Sequence, residues 1–105
     1  MQEKELVIVK ELKQIISKRI KVHDVIVFGS RARGNATEES DLDVLVVVDT
    51  MDRSIEKYIG ECAWEIGFPN DIVITPIAIT FDTLKNSPIR ESAFIKNVYR
   101  EGVHV

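Results

Sequence analysis

The chain is poor in several features that mark specialised classes of protein. Its 105 residues include one cysteine, so no disulfide can form within the chain, and we expect a reducing, cytoplasmic setting. The 14 lysine and arginine residues are outnumbered by 17 acidic residues, and the net charge is -3. This balance provides no broad basic surface for a phosphate backbone, so nucleic acid is disfavoured as a partner.

Long hydrophobic runs are also missing. The longest uninterrupted apolar stretch, Val44 to Val48, is far shorter than the roughly 18 residues that indicate a membrane span. The N-terminal residues lack the hydrophobic segment of a signal peptide. Hydrophobic residues make up 45% of the chain, which is enough for the core of one small domain. We therefore expect a single domain over residues 1–105 with no membrane partner.

Three segments have the patterns of helices. Two of them carry apolar residues at helical spacing. These residues are Ile8, Leu12, Ile15, Ile16 and Ile20 in the first segment and Ile55, Tyr58, Ile59, Cys62, Ala63 and Ile66 in the second. Gly67 follows the second segment where a C-terminal cap belongs. A last helix is predicted to start at Ser87-Pro88 and to end at Gly102.

Three strands are predicted between these helices. Val25–Phe28 and Leu42–Val48 are apolar and rich in β-branched residues, and a third strand is predicted from Asp71 to about Ile79. Pro76 marks its second half as an edge or a bulge. A helical connection predicts that the second and third strands are parallel, and a short connection predicts that the first two are antiparallel. The predicted fold class is therefore α/β (α+β), a small mixed sheet of three or more strands flanked by helices.

This topology brings Gly29 and three carboxylates, Asp41, Asp43 and Asp71, to one end of the sheet. Asp41 and Asp43 are two residues apart on a strand, so both side chains leave the same face, with Cα atoms about 6 to 7 Å apart. Two Mg²⁺ ions about 3.5 to 4 Å apart fit between such carboxylates and a polyphosphate. The alternative is that Asp41 caps a turn while Asp43 is merely exposed at the start of a strand.

Gly29 and Ser30 form a candidate site for phosphate. A glycine directly after a buried strand allows backbone N–H groups to approach an anion, and a helical turn beginning here would add its dipole. The Ser30 hydroxyl is a further donor. Gly29 and Gly34 also resemble the ends of a Walker A loop, but Asn35 and Ala36 follow where that loop needs lysine and serine or threonine. A P-loop NTPase is therefore excluded.

The stretch from Gly29 to Asp43 reads G-S-R-A-R-G-N-A-T-E-E-S-D-L-D. It resembles the signature of the DNA polymerase β-type nucleotidyltransferase superfamily, and G-S-x-A-R-G followed by S-D-x-D resembles the minimal nucleotidyltransferase branch of that superfamily. The resemblance continues at Asp71-Ile72-Val73 and in the ending I-R-E-S-A-F-I-K-N-V-Y-R-E-G-V-H-V. It covers nearly the whole chain and implies a polymerase β-like nucleotidyltransferase fold.

The resemblance also implies a role for each residue of the motif. Gly29 and Ser30 would hold the triphosphate of ATP, and Asp41, Asp43 and Asp71 would hold two Mg²⁺ ions. Asp71 would also be available as a base for the acceptor hydroxyl. The implied reaction transfers AMP from ATP to a hydroxyl and releases pyrophosphate.

Other side chains have less defined roles. Arg33 is expected either to contact phosphate or to pair with a carboxylate such as Glu38, and Arg31 is expected to point to solvent. Cys62 lies on an apolar helix stripe and is expected in the core rather than as a nucleophile. Trp64 falls off that stripe, which favours either a partner interface or packing under the C-terminal tail.

The acceptor is expected to be a protein partner. The resemblance implies pairing with a helical HEPN ribonuclease toxin, because minimal nucleotidyltransferases resemble antitoxins that adenylylate a tyrosine on such a toxin. A chain of this size has little room for an acceptor pocket of its own, so we expect a homo- or hetero-oligomer. The alternatives are a binding module that neutralises a partner by contact, transfer to a small molecule, and transfer to an RNA end, which needs a basic or aromatic track.

Overall fold

The computed structural model describes residues 1–105 as an α+β fold built on one mixed sheet, as predicted. The elements are α1 (Glu3–Ser17), β1 (Val22–Phe28), α2 (Ser30–Arg33), β2 (Leu42–Val48), α3 (Arg53–Gly67), β3 (Ile74–Thr80), α4 (Phe81–Asn86), α5 (Ala93–Glu101) and β4 (Val103–His104), with 3-10 helices at Phe68–Asn70 and Pro88–Glu91. None of the helices combines the length and the apolarity that crossing a membrane requires.

The sheet has four strands in the order β3-β2-β1-β4. β1 and β2 are antiparallel, and β2 and β3 are parallel, so both predicted pairings are confirmed. β4 adds a short antiparallel strand on the outer side of β1. Pro76 lies in β3, which is an edge strand, and a residue without a backbone N–H is tolerated there.

The two faces of the sheet are covered unequally. On one face, α1 and α3 bury Leu12 and Ile59 against Val44 and Val46 of β2. On the other face, α5 packs on alternate residues of the strands, and these contacts form a second, smaller cluster. Its buried members are Ile26, Leu45, Val47, Ile95 and Val98. Strand alternation therefore turns the side chain of Asp43 to the α5 face, where it is only partly buried.

The connection between α3 and β3 differs from the prediction. Gly67 is not the C-terminal cap of α3: it is the last residue of that helix, with right-handed helical angles, φ -71° and ψ -44°, and the chain continues into a 3-10 helix. Asp71 ends that helix in the left-handed conformation, with φ 55°, and β3 begins at Ile74. The prediction that Asp71 opens the strand is therefore wrong. The reason lies in tertiary packing: the chain folds back over Gly67 before the strand begins, and a Cβ on Gly67 would lie 2.5 Å from the carbonyl oxygen of Ile72.

The predicted C-terminal helix is divided into two elements. Ser87 caps only the 3-10 helix, and Ser92 caps α5 by accepting a hydrogen bond from the N–H of Ile95. The two serine caps, five residues apart, each begin a separate helix. The predicted end of the helix at Gly102 is confirmed. The six-residue helix α4 and the short strand β4 had no predicted counterpart.

The two glycines of α3 allow the packing of this connection to be tested. Gly67→Ala should destabilise the fold by about 1 to 3 kcal/mol, because the new methyl group overlaps the Ile72 carbonyl. Gly60→Ala is the matched control: no atom lies within 4 Å of its Cβ position, so better helix propensity should stabilise the fold by about 0.5 to 1 kcal/mol. Urea unfolding followed by circular dichroism measures both changes. Equal stability of the two variants would contradict the close contact.

Candidate active site

The two carboxylates of the Asp-x-Asp motif lie together at the start of β2. Asp41 directly precedes the strand and is exposed, and Asp43 pairs across the sheet with Phe28 of β1 and Thr75 of β3. Burial raises the pKa of Asp43, the nearby negative charge of Asp41 raises it further, and the charge of Arg33 opposes both effects. The two carboxylates are therefore close enough to repel each other, as the strand parity predicts.

Gly29 is tightly packed against Asp43. Its φ of 76° is a conformation that favours glycine, and a Cβ there would lie 2.6 Å from Oδ2 of Asp43. Ser30 then begins the single helical turn α2 directly after β1, and Asp43 is partly buried beside this connection. The structure thus brings the backbone of the predicted phosphate-binding residues against the predicted metal-binding carboxylate.

The third strand brings a hydroxyl to the site. Oγ1 of Thr75 lies 3.4 Å from Oδ2 of Asp41, a distance beyond that of a strong hydrogen bond. The sequence pattern begins the strand at Asp71, three residues too early, and Thr75 is therefore not among the predicted site residues. The signal that was present is a polar residue between Ile74 and Pro76 in an otherwise apolar strand.

Asp71 is not brought together with the other two carboxylates. No group of three or more histidine, cysteine, aspartate or glutamate side chains is placed to hold a metal ion. Asp71 instead lines a cavity of about 690 Å³ near the start of α1, together with Gln2, Lys4 and Thr37. Asp71 is separated from the carboxylate pair because it lies in a left-handed turn, three residues before the part of β3 that pairs with β2.

Arg31 does not point to solvent, contrary to the expectation. Its side chain is only 10% exposed, and Nη1 donates to Oε2 of Glu5 at 2.7 Å. Nε and Nη2 both donate to the carbonyl oxygen of Ser40, at 2.9 and 2.6 Å. The reason is that the loop after α2 folds back over Arg31, while α1 supplies a buried carboxylate on its other side.

Arg33 lies on the same side of the loop as Asp43. Its guanidinium group is 3.9 Å from a carboxylate oxygen of Glu101 in α5, and both side chains are well exposed. The expected pairing of Arg33 with a carboxylate therefore involves Glu101 rather than Glu38. Because the charge of Arg33 lowers the pKa of Asp43, this arginine is close enough to act on an anion bound there.

Two further expectations concern α3. Cys62 is buried in the core, and this burial raises the pKa of its thiol, as expected of a structural cysteine. Trp64 is 67% exposed and stacks on Phe68, with ring centroids 5.3 Å apart. Packing of Trp64 under the C-terminal tail is therefore wrong, because that tail pairs with β1. A partner interface at Trp64 stays a prediction.

Comparison with known proteins places the chain in a family. Residues 9–101 match the family model of the nucleotidyltransferase domain. Two Methanocaldococcus jannaschii proteins, both named "Putative protein adenylyltransferase", are similar to it. One is 43% identical over 101 residues, covering 93% of this chain and 95% of its own length, and the other is 36% identical over 84 residues, covering 80% and 78%.

This chain belongs to the nucleotidyltransferase domain family, as the motif indicates. It is an enzyme of nucleotidyl transfer. Among solved structures, a toxin-antitoxin with AMP-PNP matches 95% of this chain and 70% of its own chain, with a TM-score of 0.62 and 21% identity. That likeness confirms the predicted fold.

The repulsion at the carboxylate pair predicts a gain in stability when Asp43 is neutralised. Because the pKa of Asp43 is raised in the fold, its ionised form at neutral pH opposes folding. In metal-free buffer at pH 7, Asp43→Asn should raise Tm by roughly 2 to 4 °C, since solvent screening limits the gain to about 0.5 kcal/mol. The gain should vanish at a pH below the ordinary range of aspartate pKa values.

Asp49→Asn is the control for this measurement. Asp49 follows the other end of β2 and pairs with Nε2 of His23 at 3.1 Å, so its neutralisation should give no rise in Tm. Differential scanning calorimetry of both variants at two pH values measures the effect. A lower Tm for Asp43→Asn than for the unaltered chain at pH 7 would show that Asp43 is not under repulsion.

Proposed function

We propose that this chain transfers AMP from ATP to a hydroxyl with the aid of two Mg²⁺ ions, and that the acceptor is a tyrosine of a HEPN ribonuclease toxin. The chain would then act as the antitoxin of that toxin. The observation that carries the proposal is the close approach of the Asp43 carboxylate to Gly29, because a phosphate bound at the Gly29 backbone would then lie beside a metal ion held by Asp43.

The carboxylate pair is suited to magnesium. Asp41 and Asp43 supply hard oxygen ligands on one face of the sheet, and their mutual repulsion favours a cation between them. Mg²⁺ usually takes one or two carboxylates, retains several waters and completes its shell with substrate phosphates. Two carboxylates therefore suffice, and we leave Asp71 out of the proposed metal site because it lies in a separate turn. When bound, the metal would neutralise the charge of the phosphates.

The remaining residues of the site would position the nucleotide. Gly29 allows the backbone turn of positive φ that follows β1, where backbone N–H groups would donate to the triphosphate, and the hydroxyl of Ser30 would donate to a phosphate oxygen. Arg33 is exposed and close to Asp43, so its guanidinium group would exchange Glu101 for the phosphates. Positioning and charge stabilisation supply most of the catalysis in transfers of this kind.

The choice of acceptor is supported by the similar proteins. Two of them are named as protein adenylyltransferases, which favours a protein hydroxyl over a small molecule or an RNA end. The matching fold belongs to a toxin-antitoxin structure that contains AMP-PNP, an ATP analogue. Both observations support AMP as the transferred group and a toxin as the partner.

A second candidate function is neutralisation of a partner by contact alone. The stacked pair of Trp64 and Phe68 favours this alternative, because two aromatic rings on adjacent turns are each more than half exposed. Such a patch is typical of a protein interface. The two functions differ in whether neutralisation of the partner depends on Asp43.

A labelling experiment tests the proposed transfer. The purified chain is incubated with Mg²⁺, ATP labelled at its α-phosphate and the protein encoded by the adjacent gene. We expect label on a tyrosine of that protein, and we expect Asp43→Ala to reduce the labelling at least 1,000-fold, on the order of the loss of a main catalytic group.

Asp71→Asn is the matched control, since asparagine tolerates the left-handed conformation at this position. It should label the partner at a rate close to that of the unaltered chain. A strong loss of labelling in Asp71→Asn would show that Asp71 is a residue of the active site. If the partner is not labelled and the Asp43→Ala variant still neutralises it, the result would favour neutralisation by contact instead.

A further inference from the structure

We propose that Glu5 and Arg31 are positioning residues, which fix the backbone of Asp41 from the opposite side of the loop and thereby set the affinity of the site for divalent cations. The inference rests on the proposed function in one respect only, namely that Asp41 is a metal ligand. Neither residue carries a role in the proposed reaction itself.

Arg31 holds the loop at three carbonyl groups. Its two shortest hydrogen bonds, of 2.6 and 2.9 Å, go to the carbonyl oxygen of Ser40, the residue before Asp41. Longer contacts of Nη2, at 3.4 and 3.5 Å, reach the carbonyl oxygens of Glu38 and Thr37. The planar guanidinium group has the fork of donors that such an arrangement needs.

Glu5 holds Arg31 in turn. It is the one charged residue of the chain that is buried, with 4% exposure. Both of its oxygens are used, because Oε1 accepts from the N–H of Gln2 and Oε2 accepts from Arg31, each at 2.7 Å. Burial alone would raise the pKa of Glu5, but the hydrogen bonds and the charge of Arg31 hold the pKa below its ordinary value. The carboxylate is therefore an ionised anchor at neutral pH.

The backbone of Asp41 is clamped on both sides as a result. On its N-terminal side, Arg31 holds the Ser40 carbonyl, and a turn closes with a 3.1 Å bond from the N–H of Ser40 to the carbonyl of Thr37. On its C-terminal side, the N–H of Leu42 donates to the carbonyl of Val73 at 2.8 Å. Asp41 is exposed, yet it is the single residue between these two constraints.

The ion pair lies on the far side of the loop from the carboxylates. Arg31 and Glu5 line the cavity near the start of α1, whereas Asp43 belongs to the face that α5 covers. Loss of the pair should therefore act on the site through the position of the loop, and not through a lost contact with the metal or the nucleotide. The first turn of α1, which contains Glu5, would thus influence metal binding without contacting the metal.

The test compares Arg31→Lys with the unaltered chain in titrations with Mn²⁺, followed by electron paramagnetic resonance. Lysine keeps the charge but lacks the planar fork of three nitrogens that spans Glu5 and Ser40, so we expect Mn²⁺ binding to weaken by about 10-fold or more. Ile16→Val is the stability control, because Ile16 is fully buried in the last turn of α1, about 16 Å along the helix from Glu5, and the shorter side chain should destabilise the fold by about 0.5 to 1.5 kcal/mol. At a temperature where both variants are folded, it should bind Mn²⁺ as the unaltered chain does.

A double variant separates positioning from stability. Replacing both partners, as Glu5→Met with Arg31→Met, removes the buried charges together and should leave Tm close to that of the unaltered chain. It also removes the bonds to Ser40, so Mn²⁺ binding should remain weak. Unaltered affinity in this stable variant, or an equal loss of affinity in Ile16→Val, would overturn the proposal.

The result also distinguishes this inference from the proposed function. If the unaltered chain binds Mn²⁺ and Asp41→Asn weakens that binding, the metal site stands, and the Arg31 variants decide the positioning role alone. If the unaltered chain binds no Mn²⁺, both the metal site and the positioning role are overturned.

Discussion

The pairing of β1 with β2 is the constraint on which the rest of the site depends. Its antiparallel register sets Phe28 opposite Asp43, so Gly29, the residue that follows β1, is forced against the Asp43 carboxylate. Only glycine fits there, because any Cβ would lie 2.6 Å from the oxygen and the backbone has positive φ. The buried runs of both strands stabilise this register, and a slip of one residue would turn the carboxylate into the core.

Charge is used in two opposite ways on the two sides of one loop. On the α5 side, Asp41 and Asp43 repel each other and Arg33 only partly compensates their charge, which costs stability and would favour a bound cation. On the α1 side, Glu5 and Arg31 form a buried pair with almost every hydrogen-bonding group engaged. The hydrogen-bonded pair of Glu5 and Arg31 holds the loop, and the loop keeps the mutually repelling carboxylates of Asp41 and Asp43 in place.

Sequence patterns predict the position of the carboxylate pair better than the bounds of the elements around it. The bounds of β2 and the shared face of Asp41 and Asp43 follow from strand alternation, and both agree with the structure. The start of β3 was misplaced, so Asp71 was expected where Thr75 lies. That error arose because α3 continues through Gly67, whose close contact with Ile72 has no signature in the local sequence.

The sequence by itself determined the elements whose pattern is local: the apolar stripes of α1 and α3, the buried strands, and the spacing that puts two carboxylates on one face. The tertiary structure alone decided what depends on distant partners. The side chain of Arg31 is largely shielded from solvent because it pairs with the carboxylate of Glu5, 26 residues earlier, and no periodic pattern in the sequence predicts that pairing. Periodic patterns arise from the geometry of one helix or strand, whereas the environment of a loop side chain is set by whichever elements pack around it.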